Sequence, residues 1–268
     1  MSAEFAPLVL EPAYRKVAVA IGARILSRAL REGERLPSET ELARQFAVNR
    51  STVREALREL ESRGLVQRRA GSKLMSVSRP HHEHVAEGVS NALLLHGVTV
   101  RDVWEALSIL EPPLARAAAR ARTAPDLKCV AAAAAAFSVD RNDSEQAVQR
   151  VAEFFRCLGR STHNPVLGMA QEPLLQLLEP SLRVMIDKIP QAPGRIATAQ
   201  RRLLEALEAR DGEAAHAWMT RHIRDFSKGY ELAGIKLEMR VTSRPTPLQP
   251  ARARDLSLPL PARRAGRT

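Results

Sequence analysis

Arg50, Ser51, Thr52, Arg54 and Arg58 fall in one short segment, and none of them fits the apolar spacing of that segment. Such side chains can read DNA. An arginine donates two parallel hydrogen bonds to the O6 and N7 edge of guanine, and a serine or threonine hydroxyl adapts to several bases. Between them Val53, Ala56, Leu57 and Leu60 recur at helical spacing, so the segment is an amphipathic helix with a cationic outer face. Arg68, Arg69 and Lys73 lie just downstream, around Ala70-Gly71-Ser72. Cations beside a glycine turn suit phosphate contact. Outward arginines are most often a solvated face, so the elements that hold them decide the reading.

Those elements are well marked. Ser38 is an N-cap, and Glu41 three residues later completes a capping box. Leu42 and Phe46 form the apolar face of a first short helix. Ala47-Val48 is the turn, and Asn49 is a second cap. Gly64 ends the second helix as a C′ glycine. Strands at Leu65–Arg69 and Lys73–Val77 pair around the glycine turn. Upstream, Tyr14–Leu30 forms another amphipathic helix on Val17, Ile21 and Ile25, with Leu26 beside that stripe, and Gly33 punctuates the turn beyond it. The order is a helix-turn-helix with a β-wing.

The run LPSE-x-x-LA-x-x-F-x-V-x-R-x-x-VREAL-x-x-L-x-x-x-GLV within Leu36–Arg69 resembles the DNA-binding domain of the GntR family of bacterial transcription regulators, over about residues 14–77. The resemblance implies that Thr40, Arg50, Ser51, Thr52 and Arg54 face DNA and that Asn49 caps the recognition helix. It also implies that Gly71 lets the wing approach the minor groove. Arg68, Arg69 and Lys73 are expected on phosphate.

The charge distribution agrees. The net charge is +11, but residues 80–238 carry 19 Lys and Arg against 20 Asp and Glu. Residues 1–79 carry 15 against 9, and residues 239–268 carry 7 against 1. The basic character belongs to the helix-turn-helix part and the tail, which implies a polyanion partner for the former. No apolar run of about 18 residues exists to cross a membrane. MSAEFAPLVL lacks the basic start of a signal peptide, so a cytoplasmic protein is expected. With only Cys129 and Cys157, a disulfide framework is not expected, and both thiols read as small buried hydrophobes.

Residues 10–79 therefore form a winged helix-turn-helix domain, 82–238 an all-α domain, and 239–268 a disordered basic tail rich in Pro and Arg. The fold class is mainly α, the second domain an antiparallel helical bundle. Helices are expected near 82–96, 100–122, 125–137, 144–162, 165–188, 195–210 and 212–238. Thr99, Thr123, Asp143 or Ser144, and Asp211 mark their starts. Pro112, Pro113, Pro173 and Pro180 should kink or interrupt them, and the Ala131–Ala136 run suggests close helix packing. His81, His82 and His84 read as a solvated linker, because nothing nearby enforces a metal geometry.

The second domain resembles the effector domain of the FadR-like branch of the same family, at residues 104–120, 154–167 and 203–215. That implies a homodimer with a central metabolite site, where many members hold a divalent metal with an Asp, a His one turn on, and two further His. Here those positions carry Val151, Phe155, Gln200 and His222, and an arginine often used for a carboxylate effector is replaced by Leu107. One imidazole cannot hold zinc or nickel. The expected site is metal-free and apolar, without cofactor, with Leu107, Val151, Phe155, Arg156, Gln200 and His222 around it. His222 is expected to hydrogen-bond in the core, with Gln200 as its candidate partner.

No nucleophile–base pair, paired carboxylates or phosphate-binding glycine loop points to an enzyme. The sequence reads as a dimeric repressor that binds double-stranded DNA at a palindromic operator under control of a small metabolite. The alternative is a DNA-binding regulator with a degenerate pocket, answering to no small molecule or to a protein.

Overall fold

The computed structural model describes residues 11–242 except Ala70, His81, Arg141 and Asn142, with only the backbone of His82, Glu83, His84 and Val139. The wing-tip Ala70, the side chains of the histidine cluster and the tail from residue 243 lie outside the described residues. Among the described residues are ten helices and one small sheet.

The first domain is α1 (Ala13–Leu26), α2 (Glu39–Phe46), α3 (Arg50–Ser62), β1 (Val66–Arg68) and β2 (Met75–Val77). Ile21, Leu42, Val53, Leu57 and Leu60 are buried together between the three helices. Leu26 is excluded from this core, at 75% exposure. The strands are shorter than the sequence suggested, pairing antiparallel from Val66↔Val77 to Arg68↔Met75. A third edge was not legible. The segment after α1 lies along β2, with Leu36 N donating to Met75 O at 2.8 Å and Val77 N to Glu34 O at 2.9 Å. β2 is thus covered on both edges, which satisfies its backbone and ties the wing to the helices.

The second domain comprises α4 (His82–Leu95), α5 (Val100–Ala121), α6 (Ala124–Asp140), α7 (Ser144–Ser161), α8 (Pro165–Lys188), α9 (Ala192–Glu208) and α10 (Gly212–Leu232). α5 packs on α10, α6 on α7, α7 on α8, and α4 lies against α8. Thr99 and Asp102 form a reciprocal capping box, and Asp143 and Asp211 cap α7 and α10. Within the alanine run Ala133 is buried in the common core.

Several expectations are corrected. Of the two outcomes expected at the prolines, interruption does not occur: Pro112 and Pro113 lie inside a continuous α5, and Pro173 and Pro180 inside a continuous α8. Pro112 and Pro173 are buried against neighbouring helices, which offsets the lost backbone hydrogen bonds there. α10 ends at Leu232 rather than 238, at a turn where Gly234 adopts φ +75°. The chain then returns to the start of α5. Arg101 N donates to Leu237 O at 2.8 Å and Val241 N to Val98 O at 2.8 Å, so residues 239–241 are fixed rather than tail. The cysteines are joined in a Cys129–Cys157 disulfide. Read singly they suggested two small hydrophobes, but the α6–α7 hairpin brings their Cα atoms to 5.9 Å, within bonding range.

Candidate nucleic-acid interface and bundle interior

The reading face is built by α2, its turn and α3. Ser38 Oγ accepts from Glu41 N at 3.2 Å, capping α2. The box stays half-made, because the Glu41 carboxylate instead accepts from Arg44 at 2.7 Å and Gln45 at 2.9 Å. Two side-chain donors on the next turn outcompete one backbone donor. Ala47 takes the left-handed conformation at φ 52°. It turns the chain so that α3 starts with its apolar stripe inward. Asn49 holds the N-cap backbone geometry, but its side chain makes no capping bond and is exposed. The expected cap is therefore backbone only, and the amide is left facing outward. Gly64, at φ 71°, closes α3, with Leu65 N donating to Leu60 O at 3.0 Å, the pattern of a Schellman turn.

Thr40, Arg50, Ser51, Arg54 and Arg58 are exposed, and Thr52 is half-buried. One partner was missed from sequence. Arg54 donates to both oxygens of Glu39 at the start of α2, at 2.9–3.4 Å. Those bonds hold the Glu39 carboxyl below the usual carboxylate range, with smaller contributions from Arg50 and Arg68. Glu39 therefore presents Arg54 in one orientation beside α3's outer face. On the wing Arg68, Arg69 and Lys73 are exposed, and Gly71 takes φ +76° with open space where a side chain would stand. Backbone at such a turn can lie against a groove that a Cβ would hold off.

The interior of the bundle is the second site. Leu107, Val151, Phe155, Gln200 and His222 are all buried, on α5, α7, α9 and α10. The Phe155 ring stacks on His222 with centroids 5.9 Å apart, and the Phe226 ring lies tilted against His222 at 4.6 Å. The expected Gln200–His222 hydrogen bond does not form. Among the described residues neither polar atom of the Gln200 amide has a partner, nor does His222 Nε2. Burial lowers the His222 pKa to about 4, so the ring is neutral. Unmatched buried polar atoms are costly, and each of these could be matched by a polar solute. His222 also borders a cleft of about 20 Å³ between α8, α9 and α10, with Arg195 and Asp225 among its lining residues. That volume admits about one water.

Arg156 is not a free member of this set. Its guanidinium forms a bidentate pair with Glu172 on α8, at 2.7–3.1 Å. Nor do the residues fit the divalent metal that the family resemblance implies for such domains. Val151 and Phe155 offer no donor atom, and Phe155 covers the face of the single imidazole. Sequence reasoning also missed a buried carboxyl. Glu111 on α5 is fully buried, and Gln171 Nε2 on α8 donates to it at 3.0–3.1 Å. Burial raises its pKa to about 8. The signal was Gly159, a glycine inside a strong helix pattern. A Cβ there would collide with the Gln171 amide.

Comparison with known proteins agrees with both halves. Residues 13–73 match the model of the bacterial regulatory proteins of the gntR family, and residues 102–225 match the FCD domain. The HTH-type transcriptional repressor NanR of Citrobacter rodentium is 28% identical over 207 residues, covering 76% of this chain and 79% of that protein. NanR of Salmonella newport is 28% identical over 209 residues, covering 76% and 80%. Among solved structures, the Streptococcus agalactiae GntR protein has a similar fold, with TM-score 0.59 at 22% identity, covering 80% of this chain and 99% of that one. These relatives are transcription regulators rather than enzymes. The chain belongs to the GntR family of bacterial regulatory proteins, with a winged helix-turn-helix joined to an FCD effector domain.

Proposed function

We propose that this protein is a cytoplasmic, homodimeric repressor that binds a palindromic operator and is released or tightened by a small metabolite held in the helical bundle. The observation that carries the DNA half is the outer face of α3, where Arg50, Ser51 and Arg54 stand exposed on a helix whose inner face is locked in the core. With Thr40 and Thr52 they read bases, Asn49 offers a further amide, and Gly71 brings the wing backbone close. Arg68, Arg69 and Lys73 neutralise phosphate. One recognition helix addresses too few bases for a genome, so two copies on a two-fold axis are required. Selection from a random duplex pool tests this directly. The expected product is an inverted repeat, and enrichment of no motif would sink the reading.

The metabolite half rests on the unmatched Gln200 and His222, both buried in the bundle, with Phe155 stacked on His222. The ligand is an organic molecule with substantial apolar surface and a few hydrogen-bonding groups, taken up without metal. The cleft beside His222 must open to admit it. The same small cleft favours the second reading, a pocket that has lost its ligand. Melting shifts against a metabolite panel separate the two, because a ligand at a hundred times its Kd adds about 2.7 kcal/mol. Elemental analysis of untagged protein is expected to find no stoichiometric zinc, nickel or manganese. One equivalent lost in His222→Ala would contradict the metal-free site.

A further inference from the structure

The Cys129–Cys157 bond lies outside both sites, and its surroundings are those of a reactive pair rather than an inert staple. Arg160, one turn beyond Cys157, places Nη2 3.2 Å from Cys129 Sγ and 3.1 Å from Cys157 Sγ. A closed disulfide carries no charge for a guanidinium to match, whereas a thiolate does, and a neighbouring arginine lowers a thiol's pKa. Glu153 Oε1 lies 3.6 Å from Cys157 Sγ and would oppose a thiolate there, but it is paired with the same Arg160 Nη2 at 2.7 Å. The site opens to solvent, with the Arg160 and Glu153 side chains 56% and 42% exposed. Cys129 is half-buried and Cys157 is 1% exposed. One sulfur can meet a solute, and the other waits behind it.

Two sulfurs and a carboxylate so close could also suggest a metal site. The guanidinium argues against it, since its positive charge lies within 3.2 Å of both sulfurs and repels a cation there. We propose that Cys129 and Cys157 form a reversible thiol–disulfide switch, closed by hydrogen peroxide and reopened by a low-molecular-weight thiol. The Cys129 thiolate attacks peroxide, forming an S–O bond as O–O breaks. The hydroxide released leaves as water with one proton. The Cys157 thiolate then attacks the sulfenic sulfur, forming S–S as S–O breaks, and a second water leaves. The two thiols lose two electrons and two protons, and the peroxide takes both. Two molecules of glutathione return them and leave as glutathione disulfide.

The switch acts on α7. Its inner face carries Val151 and Phe155, and Phe155 stacks on His222. Closing the bond pins α7 to α6 and stiffens that wall. The effect on operator binding rests on the DNA-binding reading, whereas the thiol chemistry does not.

The test uses the full chain and the Cys129→Ser/Cys157→Ser variant in glutathione buffers of graded oxidation. Alkylated cysteines are counted by intact mass, and affinity for the duplex selected from the random pool is read by anisotropy. Two free thiols are expected under reducing conditions, none after peroxide, and two again after reduced glutathione. Oxidation should raise the melting midpoint by about 5–10 °C and change operator affinity at least about fivefold. Neither change should occur in the double variant. Arg160→Met should slow peroxide oxidation about tenfold at neutral pH, with the difference vanishing at alkaline pH where both thiols are ionised. A bond that stays closed in excess reduced glutathione would overturn the switch. So would opening and closing without change in affinity, or a reduced protein that retains one zinc. If selection recovers no duplex, the DNA reading fails, and the thiol count still decides the switch.

Discussion

At the scale of single residues, two buried groups set opposing dependences of stability on pH. Glu111 has a folded-state pKa raised to about 8 by burial, so the folded chain keeps a proton that the unfolded chain gives up above about 4.3. Its contribution is whole below that lower value and is lost as pH rises through about 8. His222 has a pKa lowered to about 4, so its contribution is present above about 6.5 and is lost as pH falls. Glu111→Gln keeps the shape and the bond to Gln171 while removing the titration. Its melting midpoint should exceed wild type at pH 8.5, and the gap should close by pH 5. An equal gap at both values would mean that Glu111 is ionised in the fold. Glu39 tests the reading face in the same way. Its pair with Arg54 is a surface pair, worth about 0–1 kcal/mol, so Glu39→Gln should fold normally. It should bind scrambled DNA more tightly, having lost a negative charge, and bind the operator with a smaller preference, having released Arg54. An unchanged preference would show that Glu39 does not position the arginine. Arg50, Ser51 and Arg54 were legible in the sequence because helical spacing alone puts them outside. Glu39–Arg54 and Glu111–Gln171 were not, since they join side chains 15 and 60 positions apart.

At the scale of elements, local rules placed most of the chain. α8 spans Pro165–Lys188 as expected, its start capped by Asn164, and α4, α5 and α7 differ from expectation by one residue at their C-terminal ends. The failures have a common cause. The strand edge at Leu36 and the return of residues 235–241 onto α5 both depend on partners far away in sequence. Gly159 shows how packing overrides propensity. Alanine favours a helix interior by about 1 kcal/mol over glycine, which predicts stabilisation for Gly159→Ala. The Gln171 amide occupies the space of the new methyl, however, and is held there by Glu111. Overpacking costs about 1–3 kcal/mol, so the variant should be destabilised in urea denaturation. Adding Gln171→Ala should recover part of the loss. Stabilisation by Gly159→Ala alone would show that the α7–α8 contact is looser than described.

At the scale of the whole molecule, the proposed dimer needs a surface. Ile109 on α5 and Val166 and Met169 on α8 are 76%, 70% and 47% exposed and supply the candidate surface. The Glu111–Gln171 bond, close to both groups along the chain, ties the same two helices together. Wild-type chain should sediment as a dimer at micromolar concentration, and Ile109→Glu/Met169→Glu as a monomer. A wild-type monomer would remove the two-fold axis from the account. The central claim is that α3 reads bases, and matched-salt anisotropy of wild type, Arg50→Ala and Arg54→Ala on the selected duplex and its scrambled form tests it. Each variant should lose about 1–3 kcal/mol on the selected duplex and less on the scrambled one. Wild-type binding of the selected duplex by both variants would contradict it.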